Sequence, residues 1–223
     1  MMTTKSQLTR SRIVESAVHV FANSGKESAS LVEIAKEAQI TSQGIYRYFS
    51  NKDELYLEAI RADVEDLFFQ LLRRLAPIPA PFFAGAVWLI LIELLPSHPL
   101  AIEAVLSKES AIQAVVKSCI STQLLQESFI AEMKLASEKG IVRQDIDASV
   151  LAKACADCLI EISIPTIMEG KYGTPEWISL QMIFLSAAFY PLPDFLNEEV
   201  IVQFQEQARE LGLNAVLNNY NFD

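Results

Sequence analysis

Apolar residues recur every three or four places through most of this chain, and short polar or proline-marked breaks separate the periodic stretches. That is the period of amphipathic helices; the two-residue alternation of half-buried strands is scarce, so the pattern predicts an all-α fold. The first predicted helix runs from Thr9 to Asn23, with Ile13, Ala17, Val20 and Phe21 inward and Gly25 past its end as a C-cap. Residues 1–8 read as a loose arm. The densest stretch is Ser30 to Asp53. Ser30 followed by Glu33 is a capping box, and Leu31, Ile34, Ala35 and Ala38 share the face behind it. Gln39-Ile40 is the connection. Thr41 is the next N-cap, and Ser42 to Phe49 makes the following helix with Ile45 and Phe49 inward. Asn51 with Glu54 opens a fourth helix. It runs long, to about Leu75, on a stripe of Leu55, Ala59, Ala62 or Asp63, Leu67, Leu71 and Leu75.

Two short helices joined by a tight turn form a helix-turn-helix pattern. The second of them turns Ser42, Gln43, Tyr46, Arg47 and Tyr48 outward, which places donors, acceptors and aromatic rings on a face with no apolar duty. Reading a major groove requires such a face. The same stretch resembles the N-terminal signature of TetR-type transcriptional regulators, T-x-x-x-I-A-x-x-A-G-V-S-x-x-x-x-Y-x-x-F-x-x-K-x-x-L. Ile34, Ala35, Ala38, Tyr46, Phe49, Lys52 and Leu55 match it, with Ser30 in place of Thr and Thr41 in place of Ser. Gln39 replaces the glycine of the turn, which gives the turn's left-handed position to a residue with a Cβ.

The resemblance implies a helix-turn-helix DNA-binding domain over residues 1–52 and a helical effector-binding and dimerisation domain over 53–223. It implies a homodimer whose two recognition helices enter successive major grooves of a double-stranded operator, about 34 Å apart. A small molecule bound in the body then favours a state with the wrong spacing, and the repressor leaves its DNA. Gln43 and Arg47 are the expected base-edge contacts. Thr41, Tyr46 and Tyr48 are expected on phosphate or thymine methyls, with Ser42 beside them, and Lys52 on phosphate at a helix N-terminus.

Downstream, Pro77-Ile78-Pro79-Ala80-Pro81 is a stiff break. A fifth helix is predicted from Pro81 to Leu95, and His98-Pro99 starts a short sixth. A long seventh runs from near Glu109 to Lys139, closed by Gly140, and the loop after it ends at an N-cap, Asp147. The eighth, Ala148 to Glu169, should kink at Pro165. The ninth opens at Thr174-Pro175 and ends at Pro191, and a last amphipathic helix covers Glu198 to about Asn218. The eighth and ninth are apolar nearly all round, with Leu159, Ile160, Ile164, Ile167 and Met168 in one and Ile178, Met182, Ile183, Leu185 and Phe189 in the other. A two-fold four-helix interface between copies would cover them.

Charge modifies this picture in one respect. The net charge of −10 argues against nucleic acid, yet residues 1–52 carry seven lysines and arginines against four glutamates, a local excess of +3. Phosphate contacts are local and distant charge is screened, so a basic end on an acidic body can still dock. With 51% hydrophobic residues the core can be large. Cys119, Cys155 and Cys158 suit a reducing cytosol. The polar N-terminus and the shortness of the run from Ala80 to Leu95 argue against secretion and membrane insertion, and so for a cytoplasmic protein.

No constellation points to catalysis. Cys155-Ala156-Asp157-Cys158 lacks a second ligand pair and reads as helix core. His19 and His98 have no carboxylate-rich motif, and the seven glycines are scattered, so no metal, cofactor or phosphate loop is expected. Asp157 and Glu161 share a face as a polar stripe. For the effector, Phe82, Phe83, Trp88, Leu89 and Ile92, with Phe129 and Met133, are residue types that line apolar cavities. Glu93 is a lone acid among them and either meets a cationic guest or sits on the helix's outer edge. A neutral or cationic lipophilic effector entering between the fourth and seventh helices follows. Two other classes fit less of the sequence: a helical carrier or enzyme for an apolar molecule, and a protein–protein interaction module.

Overall fold

The computed structural model describes residues 5–78, 86–87, 89–91, 93–154, 157, 169, 174–177 and 179, and among these the regular structure is all helical. The first helix, α1 (Lys5–Ser28), starts four residues before the predicted Thr9. Lys5, Gln7 and Leu8 are good helix formers, and the Thr9 hydroxyl donates back to the Lys5 carbonyl at 3.0 Å. Gly25 breaks the helical path at φ 71, ψ 163, after which one more turn is made before Ala29. Only a residue without a Cβ takes that conformation cheaply.

Three caps then organise the head. The Ser30 oxygen accepts the Val32 N–H at 3.1 Å and opens α2 (Leu31–Glu37). Thr41 Oγ1 accepts the Gly44 N–H at 3.1 Å and opens α3 (Ser42–Ile45). Asn51 Oδ1 accepts the Glu54 N–H at 2.8 Å, and Glu54 returns a carboxylate oxygen to the Ser50 N–H at 2.6 Å, opening α4 (Lys52–Leu75). Helix α3 is shorter than the predicted Ser42–Phe49. Residues 46–48 form a turn, held by Tyr48 N–H to the Ile45 carbonyl at 2.9 Å and Phe49 N–H to the same carbonyl at 3.0 Å. Gly44 has low helix propensity, and the chain must straighten to place Asn51 as the extended cap of α4 at φ −158, ψ 176.

Further along the chain come a 3-10 turn, Leu95–Ser97, and α5 (Pro99–Leu106). The predicted long seventh helix is two helices, α6 (Ser110–Ser118) and α7 (Ile120–Glu138). Between them Cys119 is extended, at φ −64, ψ 133. The helical period of the apolar residues passes through this break without a mark, because it is made by contacts with α4 described below.

Helix α4 is central, and α1, α5, α6 and α7 all pack against it. One cluster of buried apolar side chains runs from Ile13 through Phe21, Ile34, Ile45, Phe49, Leu55, Ile60, Leu67 and Leu71 to Cys119. Each fully buried Leu, Ile or Phe contributes about 1.5–3 kcal/mol relative to exposure, and the cluster joins the helix-turn-helix and α4 in one core. A second cluster joins Met133 and Ala136 to Val142, Ala148, Leu151 and Ala152. Residues 86–94 are helical where described. Phe82, Phe83, Trp88, Ile92, Cys155, Cys158, Glu161, Pro165 and the apolar residues predicted to pair copies lie outside the described residues, as does the last predicted helix. Asp157 is exposed and pairs with Lys153 at 2.6 Å, the solvated stripe expected of it.

Candidate nucleic-acid interface

The turn between α2 and α3 runs from Ala38 to Thr41. Gln39 lies at φ 55, the positive φ of a side-chain-bearing residue among those described. Its neighbours fix it there: the Gln39 N–H reaches the Lys36 carbonyl at 3.2 Å, and the Ile40 N–H reaches the Ala35 carbonyl at 2.9 Å. The left-handed position inferred from the missing glycine is therefore occupied by Gln39, at a cost of roughly 1–2 kcal/mol.

Ile45 and Phe49 anchor α3 from beneath, both 1% exposed. Above them Thr41, Gln43, Tyr46 and Arg47 are exposed, and Ser42 is partly exposed. Tyr46 keeps 57% of its surface open to solvent. Tyr48 departs from expectation: it is half-buried and packs against the core, because the turn after Ile45 rotates it inward. Thr41's oxygen accepts the cap bond from Gly44, and its proton remains as a donor.

The basic residues of the head are anchored more than expected. Lys52 is half-buried, and its ammonium donates to the Glu27 carbonyl at 3.0 Å, tying the start of α4 to the end of α1. Two of its three donors stay available. Lys26 pairs with Asp53 at 3.0 Å and lies 5.1 Å from the centre of the Tyr56 ring; the bond to Asp53 holds its ammonium above the ordinary lysine range. Arg10, at the start of α1, pairs with Glu58 of α4 at 2.7 Å and stacks on Phe49.

A set of polar bonds ties α4 to the body, and almost none of it has a signature in the sequence. Tyr56 packs edge-on against Phe21 of α1 at 5.1 Å and donates its hydroxyl to Glu103 of α5. Burial, with Glu103 adding, pushes that hydroxyl well above the ordinary tyrosine range. Arg61 holds Glu58 at 3.2 Å and the Ser118 hydroxyl at 2.9 Å. Asp63, 5% exposed, accepts from His98 Nδ1 at 3.0 Å and from the Ala101 N–H at 2.9 Å. Glu65 accepts the Ile120 N–H at 2.8 Å and the Ser121 N–H at 2.9 Å. Burial raises the Glu65 carboxyl, but the Ser121 and Ile120 bonds and Arg61 outweigh it and leave it below its ordinary value. The available signal is Asp63 falling on the apolar stripe of α4: an acid there must be partnered.

On the effector side, two predicted lining residues face outward. Leu89 is 55% exposed, and Glu93 is exposed and paired with Arg74 at the end of α4, at 2.5 Å. The carboxylate reaches the last turn of α4 instead of an interior, so it offers no buried partner to a cationic guest. Met133 is buried, and Phe129 packs against both apolar clusters.

Residues 13–59 match the family model described as bacterial regulatory proteins, tetR family. The HTH-type transcriptional repressor SCO4008 of Streptomyces coelicolor is 39% identical over 61 residues, which cover 27% of this chain and 32% of that protein; the match thus spans about a third of that relative. The HTH-type transcriptional regulator UidR of Escherichia coli K12 is 26% identical over 162 residues, 70% of this chain and 80% of UidR. Among solved structures, the transcriptional regulator FadR of Bacillus subtilis in complex with stearoyl-CoA superposes with a TM-score of 0.60 at 17% identity, covering 80% of this chain and 96% of FadR. The fold is thus that of these regulators, and the segment carrying the capped helix-turn-helix at residues 31–45 matches the family model of the TetR-type bacterial regulators.

Proposed function

We propose that the chain is a one-component repressor that binds double-stranded operator DNA as a homodimer and releases it when a lipophilic small molecule enters its body. The carrying observation is the α3 surface. Gln43, Tyr46 and Arg47 stand exposed on a short helix and the turn after it, whose opposite face is anchored by Ile45 and Phe49. Gln43 and Arg47 read base edges; Tyr46, Thr41 and Ser42 meet the backbone or thymine methyls; Lys52 reaches phosphate with its two remaining donors. The head corresponds to residues 1–52 and the sensing and pairing body to 53–223. Pairing runs through the predicted helices at 148–169 and 174–191.

The effector is read as neutral and lipophilic. Phe129 and Met133 supply apolar lining, and Glu93 is already paired with Arg74. The FadR neighbour is bound to stearoyl-CoA, so long-chain aliphatic compounds are the first guests to try. Footprinting on DNA upstream of the chain's own coding region, repeated over a range of salt, tests the reading. A protected, two-fold symmetric site with steep salt dependence supports it; no protection at low salt refutes it. Turnover of an apolar substrate without DNA binding would favour a carrier or enzyme instead.

A further inference from the structure

Three body helices, α5, α6 and α7, lack side-chain caps of their own, and two of them, α5 and α7, are capped from α4. An N-cap side chain ordinarily accepts one of the first free N–H groups of its helix. The N-cap of α5 is His98 and that of α7 is Cys119, and neither side chain makes a capping bond. The His98 Nδ1 faces Asp63, and the Cys119 thiol faces the Val115 carbonyl at 3.3 Å.

The missing acceptors come from α4. Asp63 takes the N–H of the third residue of α5, Ala101, and Glu65 takes the first two of α7, on Ile120 and Ser121. Both are carboxylates at helix N-termini, where charge and macrodipole favour them. Residues two apart on a helix point to different sides, so α4 is gripped from two directions by the opening turns of α5 and α7. Helix α4 is also the element bonded to the head, through Lys52–Glu27 and Arg10–Glu58.

We propose that Asp63 and Glu65 are positioning residues for operator binding: caps supplied across the fold, which tie the first turns of α5 and α7 to α4 so that the placement of the recognition helix depends on both turns. The proposal rests on the DNA-binding reading above. It makes α4 a shared cap, so a displacement of either body helix must pull α4 along or break a carboxylate grip. Linkage makes the coupling reciprocal: DNA held by the head must steady the amides of Ala101, Ile120 and Ser121.

The test is amide hydrogen exchange on the full chain, with and without a duplex that the parent protein selects from a random-sequence pool. Occupancy by DNA should slow exchange at these three amides by roughly five-fold or more. The decisive variant is Glu65→Ala with Cys119→Ser. Cys119 already has the extended backbone of an N-cap, so a serine hydroxyl in place of its thiol can cap α7 from its own chain. The double variant should regain the thermal stability that Glu65→Ala alone loses, yet show no DNA-dependent slowing at Ile120 and Ser121 and bind the duplex several-fold more weakly. Recovery of the exchange response together with stability would mean the caps are merely structural and would overturn the proposal. So would a parent that binds the duplex with no slowing, an outcome readable even if the variants fail to fold. A parent that binds no duplex at all would instead refute the DNA-binding reading.

Discussion

Arg10 lies against Phe49, its guanidinium carbon 4.8 Å from the ring centre, at the joint between α1, the turn after α3 and α4. Its charge is also held by Glu58. The cation is thus engaged within the fold, by Phe49 and by Glu58 of α4. Arg10→Ala is expected to cost about 0.5–1 kcal/mol of stability, a drop of roughly 2–4 °C in Tm per kcal/mol, and to leave the salt slope of operator binding unchanged. A slope lower by one with no change in Tm would place Arg10 on a phosphate.

The proposed reading gives Lys52 two roles. Lys52→Ala removes the bond to the Glu27 carbonyl and, on that reading, a phosphate contact as well. The expected result is weaker binding to operator and to unrelated duplex alike, with the salt slope lower by about one, and a small loss of Tm in the DNA-free protein. Binding titrations at several salt concentrations, beside a thermal melt, separate the two.

Gln43 and Tyr46 should differ in kind. Gln43→Ala should relax preference at one base position, a discrimination of about 1–3 kcal/mol. Tyr46→Ala should weaken binding without changing the preferred sequence. Selection from a random pool with each variant reads both, and identical consensus sites and affinities for parent and variants would remove α3 from the interface.

Gln39 carries backbone strain at φ 55. Gln39→Gly should raise stability by about 0.5–1 kcal/mol, the relief of a left-handed Cβ less the extra freedom glycine brings to the unfolded chain. A denaturant midpoint that falls would show that the Gln39 side chain contributes more than its strain costs.

Acid should loosen both the cap at the start of α4 and its grip on α7. The Glu54 carboxyl is lowered by the bonds from Ser50, and Glu65 is lowered on balance as described. A carboxylate depressed in the fold stabilises it above the ordinary carboxylate range and loses that contribution as pH falls through the depressed value. Stability should therefore decline below about pH 4.5, and Glu65→Ala should flatten the decline. An unchanged pH profile in that variant would mean the amides of α7 draw nothing from the charge.

The head is legible residue by residue. Ser30, Thr41 and Asn51 act on amides two or three residues away, Gly25 and Gln39 set φ at their own positions, and Ile34 and Ile45 fall inward by helical period alone; short-range chemistry of this kind is written in consecutive residues. Packing settles what distance along the chain conceals. Cys119 breaks a helix that the period of its neighbours continues, because Glu65, far upstream, supplies the two acceptors that let α7 start afresh at Ile120. Asp63 is tolerable on an apolar stripe only because His98 and Ala101 satisfy it. Tyr48 turns inward where α3 ends early, Lys52 finds a carbonyl on α1, and Glu93 finds Arg74. In each polar case the partner is a donor or acceptor brought close by packing against α4, and its energy exists only once that packing has formed.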